Sequence, residues 1–160
     1  MKLAKVFLAI GATVVAFTSH DAVAEKCNGY IAMKRDPAIE IMKKVDGSQV
    51  LRIMNSRIVT VKEPKDSPLD GAYGTCLGLW TVAADGKSGS GAGECYYIDR
   101  DGDTVGDAWE GTNTGGTWKD LWGTGKYKNI SSSGTWKPDT ARYSDGWAWQ
   151  SWEGECTPVK

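Results

Sequence analysis

Apolar and polar residues alternate along most of the chain beyond residue 48, as they do in β-strands that bury one face. The alternating segments are rich in Val, Ile, Thr, Tyr and Trp, which are enriched in strands. They include residues 50–61, 72–84, 94–99 and 143–152. The pattern predicts an all-β protein with about six to eight antiparallel strands.

The dipeptide Asp-Gly occurs five times, at 46–47, 70–71, 85–86, 101–102 and 145–146. Asp-Gly between alternating segments is a strong hairpin signal, because type I′ turns need two residues at positive φ. Successive hairpins form a meander, and closure of the meander would remove its exposed edges. The sequence therefore predicts an up-and-down antiparallel β-barrel.

One segment in the first third of the chain allows two interpretations. Asp36 could cap a helix, with Pro37 at its first position and Gly47 after its end. Ile39 and Ile41 alternate with polar residues and fit a strand equally well. We favour the strand.

The first 24 residues have the order of regions of a secretory signal peptide. Lys2 and Lys5 precede an apolar run over residues 6–17, and Ala22-Val23-Ala24 forms a small-x-small cleavage site. The run is too short to span a bilayer of about 30 Å, so a retained anchor is the weaker alternative. We predict cleavage after Ala24, a single barrel domain over residues 25–160, and export to the periplasm or medium without membrane insertion.

The four cysteines all lie beyond the predicted cleavage site, and an even number in an exported protein suggests two disulfides. If 85–86 is a two-residue turn, Cys76 lies directly opposite Cys95, within disulfide range. Cys27 would then pair with Cys156. A zinc site is the alternative, but such sites usually use close pairs such as C-x2-C, which the sequence lacks.

The same pairing rule, applied to a two-residue turn at 101–102, predicts which side chains share a face. The face with the larger apolar groups, expected to point inward, carries Leu77, Leu79, Glu94, Tyr96, Ile98, Val105, Asp107 and Trp109. Glu94 then lies beside Trp109 in the barrel. Asp107 lies opposite Tyr96, and we expect these four side chains to bind a ligand. A slip of one residue would exchange the faces.

The chain has 20 glycines and eight tryptophans, and seven of the tryptophans lie beyond residue 100. Trp147 and Trp149 share one face of a predicted strand, and the same spacing predicts a shared face for Trp118 and Trp122. Core packing is one interpretation of these side chains. The other is an aromatic platform for sugars or planar molecules, and we expect Trp147 and Trp149 to contribute to ligand binding.

An acidic segment follows the spacing of a calcium-binding loop. Thr104 stands where that loop needs glycine, and Gly102 comes two positions earlier. We therefore favour a plain acidic hairpin and predict no metal site, with calcium as the alternative. The ligands in that alternative would be Asp99, Asp101, Asp103, Asp107 and Glu110.

The charge and histidine content exclude several function classes. The formal net charge of -1 gives no electrostatic footprint for nucleic acid. His20 is the only histidine and lies in the predicted signal peptide, so the mature chain has no Ser-His-Asp or Cys-His unit. We predict no cofactor.

Several motifs in the middle of the chain resemble those of a known group. Gly-Thr-Gly-Lys-Tyr at 123–127 is followed by Ser-Gly-Thr-Trp at 133–136, while Cys-x-Tyr-x-Asp-x-Asp-Gly-Asp spans 95–103 and Trp-Glu-Gly spans 109–111. These motifs resemble small secreted bacterial β-barrels that are similar in architecture to allene-oxide-cyclase and dirigent barrels, within the wider calycin-like shape. The resemblance covers residues 68–136 and implies a barrel fold. The catalytic residues of the plant cyclases have no counterpart in these motifs.

Three functional hypotheses follow, and the first is favoured: a barrel that binds a small apolar, aromatic or sugar ligand in its interior. The second is an isomerase or cyclase, with Glu94 as base, Tyr96 as acid and Asp107 nearby. The third is a structural or interaction protein with a solid interior. A cavity favours the first two hypotheses, and a filled interior favours the third.

Overall fold

The computed structural model describes residues 23–144 and 146–159, which form nine antiparallel strands and one turn of 3-10 helix, Gly125–Tyr127. The strands are β1 (Glu25–Arg35), β2 (Ile39–Lys43), β3 (Gln49–Glu63), β4 (Tyr73–Val82), β5 (Gly89–Ile98), β6 (Thr104–Thr112), β7 (Gly115–Gly123), β8 (Ser133–Ser144) and β9 (Trp147–Cys156).

Eight of these strands close into a barrel. Strands β3 to β9 follow one another as a meander, and β1 completes the ring by pairing with both β9 and β3. The short strand β2 pairs with β3 beyond the ring. The predicted all-β antiparallel barrel is confirmed, as is the strand interpretation of the segment after Asp36.

The glycines of the five Asp-Gly pairs lie between strands, as predicted. These residues, Gly47, Gly71, Gly86, Gly102 and Gly146, all have φ between 68° and 86°, which residues with a Cβ rarely adopt. The strands between them bury alternate residues, so the period of two in the sequence corresponds to an inner and an outer wall.

Both predicted disulfides are present. Cys76 lies directly opposite Cys95 in the β4–β5 pair, and their Cα atoms are 4.0 Å apart. Cys27 of β1 is bonded to Cys156 of β9, with a Cα separation of 5.8 Å. The second disulfide therefore joins the first and last strands of the barrel.

The second hairpin does not have the predicted register. Glu94 lies opposite Ala108, and Tyr96 lies opposite Gly106. The backbone N–H of Asp99 donates to the carbonyl of Asp103 at 3.0 Å, so the connection between β5 and β6 is longer than two residues. This larger loop shifts β6 by one residue relative to β5.

The face of β4 and β5 that was predicted to point into the barrel points outward, so this prediction is wrong. Leu77 and Tyr96 are 53% and 45% exposed, and Glu94 is also on the outer wall. The inner wall of these strands instead carries the disulfide and several glycines. The large apolar groups of these strands do not mark the interior, because the interior needs small residues beneath tryptophan rings that cross from neighbouring strands. Asp107 and Trp109 do face inward, because the register shift reverses the relation between β5 and β6.

The two tryptophan pairs differ in placement. Trp147 and Trp149 share a face as predicted, on the outer wall, with ring centroids 6.2 Å apart. Trp118 faces inward while Trp122 is exposed, because a bulge interrupts the β6–β7 pairing after Gly106.

The predicted signal peptide lies outside the described residues except for its last two. Within the described part of the chain, no helix has the length and apolar character needed to cross a membrane.

Candidate functional site

The barrel encloses a cavity of about 570 Å³. Its wall is mainly apolar and includes a cluster of polar side chains around Arg57, here called the polar end. Five tryptophans contribute to the wall: Trp80, Trp109, Trp118, Trp136 and Trp152. These residues line an open interior, whereas the third functional hypothesis requires a filled one.

Glycines on the inner wall explain how so many tryptophans leave a cavity. The Trp109 ring lies over Gly78 and Gly93, where a Cβ on either glycine would collide with the ring. The Trp136 ring lies in the same way over Gly111. Because the rings cover adjacent wall positions, they line the barrel instead of filling it.

Four of the cavity tryptophans have unpartnered indole nitrogens. The Nε1 atoms of Trp109, Trp118, Trp136 and Trp152 are buried and have no acceptor among the described residues. A buried N–H without an acceptor is costly, and buried indoles usually find one. The cavity wall therefore holds unused hydrogen-bond donors beside aromatic surface.

The polar end of the cavity is built around Arg57 on β3. Its Nε donates to Asn55 Oδ1 at 2.7 Å, and its Nη1 donates to the Tyr97 hydroxyl at 3.4 Å. Asp107 and Asp120 face the same space from neighbouring positions on β6 and β7. Asp120 is held by Ser132, whose backbone N–H donates to its carboxylate at 3.0 Å.

Burial strongly affects the two carboxyl groups. Desolvation raises the pKa of Asp107 to about 7, against the opposing effect of the Arg57 charge, and Asp120 raises it further. Desolvation also raises the pKa of Asp120, which its hydrogen bonds from Ser132 partly offset. The Oδ1 atom of Asp107 is buried and lacks a hydrogen-bond donor within the described residues.

The structure brings together only some of the predicted site residues. Asp107 and Trp109 line the cavity, while Glu94 and Tyr96 lie outside it. Trp147 lies on the outer wall, as does Trp149. Of the three residues in the isomerase or cyclase hypothesis, only Asp107 lies in the interior. The ligand-binding roles of Asp107 and Trp109 stay predictions.

Sequence reasoning missed the other polar residues of the cavity. The clearest available signal was in β3, where Asn55 and Arg57 share the face of Val59 and Val61. Polar side chains on the buried face of an alternating strand need partners, and such groups gather at working sites. Asp120 gave no comparable signal, because the bulge beside it changes the alternation in β7.

The acidic segment forms an ion-pair cluster around a lysine. The Lys126 Nζ lies 2.6, 3.0 and 2.8 Å from carboxylate oxygens of Asp99, Asp101 and Asp103. The Tyr127 hydroxyl also donates to Asp99, at 3.0 Å. Lys126 thus supplies the positive charge that the calcium alternative assigned to a metal ion.

The remaining two residues of the calcium template lie elsewhere. Asp107 faces the cavity, and Glu110 is exposed and accepts a hydrogen bond from Thr117. Across residues 23–144 and 146–159, no group of three or more His, Cys, Asp or Glu side chains is placed to hold a metal ion. The five-residue calcium arrangement is therefore not formed.

No family model and no curated protein matches this chain. Among solved structures, it is similar to the pterocarpan synthase dirigent protein GePTS1, with 13% identity and a TM-score of 0.50 over 96% of this chain and 100% of that one. A second pterocarpan synthase dirigent protein, PsPTS1, gives 14% identity and a TM-score of 0.48 over 85% and 97%. At this identity the likeness to GePTS1 shows the fold alone, and it agrees with the dirigent-like barrel that the motifs implied.

Proposed function

We propose that this protein binds a small molecule with a planar apolar or aromatic body inside the barrel. The observation that carries this proposal is the cavity of about 570 Å³, whose mainly apolar wall carries five tryptophan rings and a cluster of polar groups around Arg57. Small-molecule sites are typically concave and mostly apolar, with a few convergent polar groups that orient the ligand. An eight-stranded barrel is wide enough to hold one small ligand.

The wall chemistry supports a ligand that also accepts hydrogen bonds. Stacking on the rings would contribute binding energy, and the indole N–H groups of Trp109 and Trp118 would be available to acceptors after small ring movements. Arg57 and Tyr97 add two further donors at the polar end. Hydroxylated and carbonyl-bearing aromatic molecules, and sugars, meet these requirements.

Two disulfides support the inference that the protein works in an oxidising compartment. Disulfides persist mainly in exported proteins, and both bonds here join neighbouring strands of the barrel. Export to the periplasm or medium therefore belongs to the same proposal.

Filling the cavity should abolish binding while the barrel persists. Ile53 lines the cavity from β3, so Ile53→Trp would place an indole ring in the ligand space. We expect tryptophol, a neutral indole alcohol, to bind the unaltered protein in isothermal titration calorimetry. We expect no heat of binding from the Ile53→Trp variant.

The matched control is Arg52→Trp, which adds the same ring to the adjacent, outward-facing position of β3. This variant should bind tryptophol as the unaltered protein does. Circular dichroism should show folded barrels in both variants. Equal tryptophol affinities for the two variants would place binding outside the cavity and contradict the proposal.

A further inference from the structure

We propose that the ligand is an organic cation, an aromatic or apolar body bearing a protonated amine that lies against Asp107 and the tryptophan rings. This inference rests on the proposed function, because it assigns a charge and a head group to the occupant of the same cavity.

The first observation is the charge of the cavity wall. The side chains on it that carry a charge when ionised near neutral pH are Arg35, Arg57, Asp36, Asp107 and Asp120, three carboxylates against two guanidinium groups. Arg35 and Asp36 are exposed neighbours of opposite charge. Among the less exposed groups, the two carboxyl groups of Asp107 and Asp120 therefore share the cavity with the one guanidinium of Arg57.

The second observation is how Arg57 is used. Its side chain donates to the neutral groups of Asn55 and Tyr97, at 2.7 and 3.4 Å. Asp107 Oδ1 has no donor among the described residues. An ammonium group has three N–H donors and a full positive charge, so it satisfies both the hydrogen-bonding and the charge requirement of this oxygen.

The third observation is the position of the tryptophans relative to the carboxyl groups. Trp109 follows Asp107 by two residues on the inner face of β6, and Trp118 precedes Asp120 by two on β7. Trp109 and Trp118 are themselves directly opposite each other. A cation beside the carboxyl groups thus lies within reach of indole faces, which attract cations most strongly of the aromatic side chains.

The titration of Asp107 supports this assignment. The ionisable groups that face it are Arg57 on β3, Tyr97 on β5 and Asp120 on β7, and burial raises the pKa of Asp107 to about 7. A bound cation favours the ionised carboxylate. Cation binding should therefore strengthen as the pH rises through this pKa, whereas binding of a neutral ligand should not.

The test compares three probes with the same indole body and different head groups. Tryptamine is cationic, tryptophol is neutral and indole-3-acetate is anionic. By calorimetry we expect tryptamine to bind at least about tenfold more tightly than tryptophol, and indole-3-acetate to bind most weakly. Between about pH 6 and about pH 8, the affinity for tryptamine should rise about tenfold, since that range spans the ionisation of Asp107.

Asp107→Asn should remove both the preference for tryptamine over tryptophol and the pH dependence of tryptamine binding. The control is Glu94→Gln, which removes a carboxylate from the outer wall of the same hairpin and should change neither property. Tryptophol binding without a preference for tryptamine would overturn the cation assignment and leave the proposed function standing. Tightest binding of indole-3-acetate would also overturn the cation assignment and leave the proposed function standing. Failure of all three probes to bind would count against both.

Discussion

Replacing Cys27 and Cys156 together with alanine is expected to lower the free energy of unfolding by up to about 5 kcal/mol. The bond joins residues 129 positions apart, so it closes nearly the whole described chain into one loop. On the loop-entropy account, a long closure restricts the unfolded chain strongly, and its loss makes unfolding more favourable. Urea denaturation of the two proteins under non-reducing conditions measures the difference.

Ser133→Ala is a suitable control for this variant, because Ser133 is exposed and pairs with Glu155 close to the disulfide. It should change the free energy of unfolding by no more than about 0.5 kcal/mol. A double-alanine variant as stable as this control would mean that the pairing of β1 with β9 holds the ends together without the bond.

Replacing Asp107 with asparagine is expected to stabilise the ligand-free protein at about pH 8, by about 4 kcal/mol. Burial raises the pKa of Asp107 from 3.8 to about 7, so the folded protein retains a proton that the unfolded chain releases. The stability contributed by this proton is complete below the unfolded pKa. It is lost as the pH rises towards the folded pKa, so the advantage of the asparagine variant should grow over that interval and then level off.

The measurement is a series of urea denaturation curves from about pH 3 to about pH 8, covering both pKa values. Glu94→Gln should follow the unaltered protein throughout, because Glu94 is on the outer wall. An asparagine variant with the same pH dependence as the unaltered protein would show that Asp107 does not titrate near neutrality in the folded barrel.

Local signals in the sequence were sufficient for the barrel and its disulfides. The alternation of residues depends on the period of two of a strand, and Asp-Gly supplies the backbone freedom that turns require. The connection around 85–86 is longer than the predicted two residues, since the Ala83 N–H donates to the Ser88 carbonyl at 2.9 Å, but it is centred on the same pair and keeps Cys76 opposite Cys95. These inferences used residues that are close in sequence or joined by a single hairpin, and Cys27–Cys156 followed because only those two cysteines remained.

The interior could not be predicted in the same way, because it depends on contacts between several strands. The loop at 101–102 is enlarged by hydrogen bonds from the backbone of Asp101 and Asp103 to the Asp99 carboxylate, and this changes the register by one residue. One residue is enough to exchange the faces of a strand. The packing of Trp109 over Gly78 and Gly93 likewise joins three strands, so no signal within a single strand marks these glycines as part of the inner wall.

The most direct test of the account is a crystal structure of the protein grown with tryptophol. We expect density for the indole ring inside the barrel, next to Trp109 and Trp118, with the hydroxyl towards the polar end around Arg57. The outer pair Trp147 and Trp149 offers the competing site that the sequence also suggested. Tryptophol bound to that outer pair, with no density for it within the barrel, would contradict the account.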